Sequence, residues 1–234
     1  MVILSVFITI VAALLPAIIW LLFFLKEDVH PEPKRLIIYT FCVGAIISLP
    51  VLIAQIIFQN VLLELIRNAF LLMIGLAVIE EVFKFFAAYF AVHKDPAFNE
   101  PIDAVVYMIA AAMGFASIEN IFIASQNINT IHPLAFAPTL ITLALRFVGA
   151  TLLHALASGT VGYFWAKGWR KPDLRNQIII GVVGATIIHF VFNYLVLKFQ
   201  NVTLFYSSLF LVVAAFFLLN DFEKLKTADK ERKM

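Results

Sequence analysis

Glu80, Glu81, Lys84, Glu119, Asn120, Arg146, His154, His189 and Asn193 all stand inside stretches that are otherwise apolar. Ionisable side chains are costly within a membrane, and by default they face a bundle interior or a water-filled cavity. A glutamate near a histidine can take a proton from water, which then attacks a carbonyl. Histidine and asparagine donors on another helix can stabilise the resulting oxyanion. Equally, Glu119, His154 and His189 could ligate Zn²⁺, because three N/O ligands plus a water make a catalytic site. The residue types leave both chemistries open.

Their spacing groups them. Glu80 and Lys84 are four apart and Glu81 and Lys84 three apart, so all three stack on one helical face. Adjacent carboxylates repel, and Lys84 can neutralise one of them, leaving the other as a base. His189 and Asn193 are four apart and give one face two hydrogen-bonding groups. Arg146 lies two turns before His154, where it could serve the site or snorkel to the interface. Asp103 sits at a helix start, where a capping aspartate is expected, with Tyr107 one turn along. Ser158 and Gly159 are small enough to permit close helix contact. His30, His93 and His132 fall in loops and are given no role in a site.

The elements that must position these groups are membrane-spanning helices. Of 234 residues, 63% are apolar and only 14% charged, well below the quarter or so usual in soluble domains. The charges are bunched between apolar runs long enough to cross a bilayer, which takes about 20 residues. The pattern predicts an all-α polytopic bundle of about seven transmembrane helices around a central polar cavity. The spans fall near 2–25, 35–58, 61–92, 102–125, 134–166, 176–198 and 203–220. One domain is expected over 1–234, its motif-bearing core about 61–198. The first span is too long for the h-region of a cleavable leader and has no basic n-region. At ~1.5 Å per residue, Glu80, His154 and His189 come out near mid-membrane, with Glu119 about a turn further toward the outside. Polar groups from four helices thus share about one level.

Lysines and arginines set the expected orientation. On one side are Lys26, Lys34, Arg35, Lys94, Lys167, Arg170, Lys171, Arg175 and the tail's Lys224, Lys226, Lys230, Arg232 and Lys233; on the other are Arg67 and Lys198. The positive-inside rule then puts the tail in the cytoplasm and the N-terminus outside. The single cysteine, Cys42, has no partner for a disulfide and reads as a small buried hydrophobe.

The chain has no G-x-S-x-G, no H-E-x-x-H, no paired intramembrane aspartates and no Walker loop. What it has, in order, is Glu80-Glu81-Val82-Phe83-Lys84, Asp103 to Tyr107, Gly114 to Asn120, Arg146 through His154 to Gly162-Tyr163, and His189 to Asn193. These segments resemble the successive motifs of the PrsW family of membrane proteases, over about residues 75 to 195. That family is similar to the wider superfamily of CAAX-processing and bacteriocin-immunity-type proteases, whose members place an arginine and a histidine where this chain has Lys84 and Glu119. The resemblance implies a membrane-embedded endopeptidase cutting a single-span membrane protein, such as an anti-sigma factor. It implies that Glu80 activates the water with Glu119 or His154 assisting, that Glu81 and Lys84 hold the pocket, and that His189 and Asn193 form the oxyanion site. A metal-free mechanism is the expected version, with Zn²⁺ the alternative. The partners expected are the substrate and the lipid bilayer, not nucleic acid. A proton- or ion-coupled transporter using the same groups is the rival reading, but it calls for Gly/Pro-broken helices in two related halves, and no such repeat is visible.

Overall fold

A computed structural model describes residues 2–65, 68–126, 136–169, 171–199 and 203–233. The expected break around 126–133, His132, Arg67 and Arg170 lie wholly or largely outside them. The described residues form α1 (Val2–Leu25), α2 (Lys34–Leu65), α3 (Ala69–Val92), α4 (Asp103–Gln126), α5 (Phe136–Arg146), α6 (Leu152–Gly168), α7 (Leu174–Lys198) and α8 (Thr203–Lys233). A five-residue π-helical segment, Phe147–Thr151, joins α5 to α6 without a break. Eight α segments therefore make seven rods, as the apolar runs predict. Six of the rods are long and apolar enough to cross a membrane. The seventh, α3, has 24 residues, about 36 Å at the helical rise, and carries Glu80, Glu81 and Lys84 at its middle. The protein is a polytopic helical membrane protein.

Three boundaries differ from expectation, the first being that α2 runs on to Leu65 instead of ending near residue 58. The third helix begins at Ala69, not near residue 61, because Asn68 caps it. The Asn68 side chain accepts from the amides of Phe70 and Leu71 at 3.0 and 3.1 Å, satisfying donors that a helix start leaves free. The last helix runs on past residue 220 through the basic tail to Lys233.

Helix α4 is the hub. It packs against α1, α2, α3 and α6, and its residues from Asp103 to Ser117 are buried without interruption. Small residues bring the backbones together. A Cβ on Gly114 would lie 1.9 Å from the Phe41 carbonyl oxygen, and one on Gly44 would lie 2.0 Å from that of Ala111. From α6, a Cβ on Gly162 would meet the Val105 Cα of α4 at 2.6 Å. Without water to drive association, such close van der Waals packing is what holds membrane helices together.

Cys42 is exposed, not buried. It borders a groove of about 610 Å³ between the start of α2 and the end of α3, with Arg35, Tyr39, Ala91 and Asp95. An apolar run does not distinguish a face turned to lipid from one turned to the core, because both environments are apolar.

Candidate active site

Helix α3 places Glu80, Glu81 and Lys84 on the face it turns inward, and all three are buried. Lys84 Nζ donates to Glu81 Oε1 at 2.6 Å and lies 3.9 Å from Glu80 Oε2. The cation thus engages one of the adjacent carboxylates closely and leaves the other freer, as the spacing predicts. Lys84 also donates to His154 Nδ1 at 3.0 Å and lies 5.1 Å from the centre of the Phe115 ring. With Nδ1 accepting, the His154 proton sits on Nε2, which donates to Glu119 Oε2 at 2.8 Å. His189 donates from Nδ1 to Glu81 Oε1 at 2.9 Å, and its Nε2 is 3.7 Å from Glu80 Oε2. The two imidazoles meet edge to face with centres 5.4 Å apart.

One chain of polar contacts therefore runs through the middle of the bundle. It begins at Arg146, which donates to Glu119 Oε2 at 3.1 Å and to Asn120 Oδ1 at 2.5 Å. It continues through Glu119, His154, Lys84, Glu81 and His189 toward Glu80. From Arg146 to His189 the links are hydrogen bonds of 2.5 to 3.1 Å, whereas Glu80 Oε2 stands 3.7 Å from His189 Nε2. Arg146 is committed inward to this network and does not snorkel. Glu81 is satisfied by three donors, since Ser158 Oγ gives its other oxygen a hydrogen bond at 3.0 Å. Glu80 is different: Oε1 accepts from Gln55 Nε2 at 2.9 Å, while Oε2 is buried with no hydrogen-bond partner among the described residues. Three carboxylates face two fixed cations and two imidazoles, so one further proton on the cluster balances its charge.

The donor atoms that converge belong to Glu80, Glu81, His154 and His189, which offer one atom each within 4.8 Å of one another. The sequence-based ligand set of Glu119, His154 and His189 needs correcting, because Glu119 binds the Nε2 side of His154 and lies outside this group. Helix rise gives a depth for each residue but not the side of a ring on which a neighbour lies. Asn193 is half-buried one turn beyond His189 and makes no side-chain hydrogen bond to a described residue. Asn120, by contrast, donates to the Ala13 carbonyl and to Thr151 at 3.2 Å each, tying α4 to α1 and to the π segment. In that segment Trp20 Nε1 donates to the Phe147 carbonyl at 2.7 Å, partnering a carbonyl where the ordinary helical ladder is interrupted.

Sequence reasoning missed Gln55 and Phe115. A glutamine deep in the second apolar run was a visible signal for the first; Phe115 gives none. Ser158 was read only as a small contact residue. Asp103 is not a helix cap: its Oδ2 accepts from the preceding amides of Asn99 and Glu100 at 2.8 Å each, which shapes the loop between α3 and α4. Tyr107 donates its hydroxyl to Glu32. Both lie apart from the polar centre.

The chain matches the model of the PrsW family intramembrane metalloproteases over residues 32–219. It is similar to the curated Protease PrsW of Geobacillus kaustophilus, 28% identical over 75% of this chain and 73% of that one. It is also similar to those of Halalkalibacterium halodurans, 25% identical over 86% and 89%, and Bacillus subtilis, 22% identical over 88% and 90%. No solved structure matches it.

Proposed function

Because the chain belongs to the PrsW family of intramembrane metalloproteases, and is thus a membrane-embedded protease, we propose that Glu80 is the base that activates water for attack on a substrate peptide bond. The observation that supports this is the state of Glu80 Oε2. It is a buried carboxylate oxygen with no hydrogen-bond partner among the described residues, ringed by His189 Nε2 at 3.7 Å and by His154 Nδ1 and Lys84 Nζ at 3.9 Å. An oxygen so placed can accept a proton from water while nearby nitrogens steady the charge that develops.

In this mechanism Glu80 Oε2 takes the water proton as the oxygen attacks the carbonyl carbon, and returns it to the leaving amine. Glu81 and Lys84 are structural partners that hold His189 and His154 in fixed orientations. Glu119 holds the proton on His154 Nε2, with Arg146 balancing its charge. His189, with Asn193 one turn along the same helix, serves the oxyanion. The substrate is a single-span membrane protein of the anti-sigma-factor kind, since a site this deep favours a chain that is itself in the bilayer. The N-terminus lies outside and the C-terminus in the cytoplasm.

The family description raises a metal, and the residues fit one. Glu80, His154 and His189, with Glu81 beside them, form an N/O donor set of the kind that holds Zn²⁺, and Glu80 Oε2 has no other partner to give up. A bound ion would supply Lewis-acid polarisation of the carbonyl and of the water. Lys84 already places a cation within this group, 3.0 Å from His154, which favours the metal-free version.

The test uses purified full-length protein and a single-span reporter helix. Glu80→Gln is expected to abolish cleavage while insertion and thermal unfolding stay native. Native-like cleavage by that variant would remove Glu80 as the base. Metal analysis of the same active sample decides the ion: turnover in protein stripped of zinc sinks the metal version, whereas loss restored by Zn²⁺ sinks the metal-free one.

A further inference from the structure

We propose that Gln55 is a positioning residue for Glu80, orienting the carboxylate so that one defined oxygen is presented to the reaction; this rests on the assignment of Glu80 as the base. Gln55 comes from α2, outside all the motifs that drew attention in the sequence. Its Nε2 donates to Glu80 Oε1 at 2.9 Å. No other hydrogen bond reaches the Glu80 carboxylate from the described residues, and Oε2 remains unpartnered.

The geometry around Gln55 makes this contact a fixed one. Toward the start of α2, the Gly44–Ala111 and Gly114–Phe41 contacts bring the backbones of α2 and α4 together with no room to slide. Three residues beyond Gln55, the Phe58 ring packs into the space left by Gly75, where a Cβ would lie 2.1 Å from it. The height of Gln55 against α3 is therefore set on both sides, and so is the oxygen it takes. Without that bond Glu80 is free to turn toward the Lys84 ammonium, now 3.9 Å away, and close a direct ion pair that occupies the oxygen the reaction needs. An amide suits the task because it orients the carboxylate without adding a charge; a lysine or arginine there would claim the base for itself.

Two measurements on the purified full-length chain test this. In the infrared, the native spectrum minus that of Glu80→Gln isolates the Glu80 carboxylate band. The same difference taken in a Gln55→Leu background should be displaced. With the fluorescent single-span reporter, Gln55→Leu should lower kcat about 10- to 100-fold, the worth of a hydrogen bond to a charged group, with KM unchanged. An unmoved carboxylate band, or native kcat in Gln55→Leu, overturns the proposal. Native-like cleavage by Glu80→Gln instead overturns the assignment of the base, and the infrared band still reports on the pairing.

Discussion

Lys84 carries much of the electrostatics of the centre. Its side chain is wholly buried and its ammonium lies 2.6 Å from Glu81 and 3.0 Å from His154. Burying such a pair gains little over apolar packing, but removing one partner strands the other charge in a poorly solvating interior, at about 3–5 kcal/mol. Lys84→Met should therefore lower thermal stability strongly, whereas Lys84→Met combined with Glu81→Gln should recover much of the loss. Equal melting temperatures for the single and double variants would mean that Glu81 does not need its cation. The sequence could anticipate this pair, because residues three apart on a helix share a face. It could not say which imidazole nitrogen would meet which carboxylate, since that depends on how α4, α6 and α7 rotate about their axes. Gln55 was visible as a polar residue in an apolar run, but its pairing with Glu80 depends in the same way on how α2 and α3 rotate.

Among the helices, the loops at the end of the bundle where α4 begins hold a second polar knot. Asp28 accepts from the His30 amide at 3.0 Å, Glu32 accepts the Tyr107 hydroxyl, and Asp103 holds two amides of the α3–α4 loop. Burial chiefly raises the pKa of Asp28 and of Glu32. For Glu32 the Tyr107 hydrogen bond opposes the shift and the Asp28 charge adds to it. A carboxyl with a raised folded-state pKa favours the folded protein while it holds its proton, and that advantage fades as pH climbs above its ordinary value, 4.5 for Glu32. The melting temperature should thus decline from about pH 5 toward neutrality, and Glu32→Gln, which keeps an acceptor for Tyr107 but does not ionise, should flatten the decline. An identical slope in the variant would exclude Glu32 as its source. The spacing of Asp103 and Tyr107 marked them as a motif, but the partner of Tyr107 is Glu32, from a loop distant in sequence, and Asp103 turns back to the amides of Asn99 and Glu100 instead of capping its own helix.

For the whole molecule, the placement of lysines and arginines argues for a cytoplasmic tail and an N-terminus outside. Cys42, already exposed, should be removed by Cys42→Ala, and single cysteines then added at each end. A membrane-impermeant thiol reagent applied to intact cells should label the N-terminal cysteine and spare the C-terminal one; the reverse pattern would invert the topology. The number and approximate placement of the rods were determined by the sequence alone, because crossing hydrocarbon imposes a run length that can be counted, but the end of α2, the start of α3 and the end of α8 were not. So was the presence of a polar centre, because charges at mid-membrane depth have few places to go. The tertiary structure decided which faces turned to lipid, that α2 contributes Gln55, that Glu119 lies on the far side of His154 from Glu80, and that Glu80 keeps one oxygen without a hydrogen-bond partner among the described residues. Those outcomes follow from how each helix is rotated and docked, which small-residue contacts such as Gly44–Ala111 and Gly162–Val105 fix to within an ångström and which no one-dimensional periodicity records.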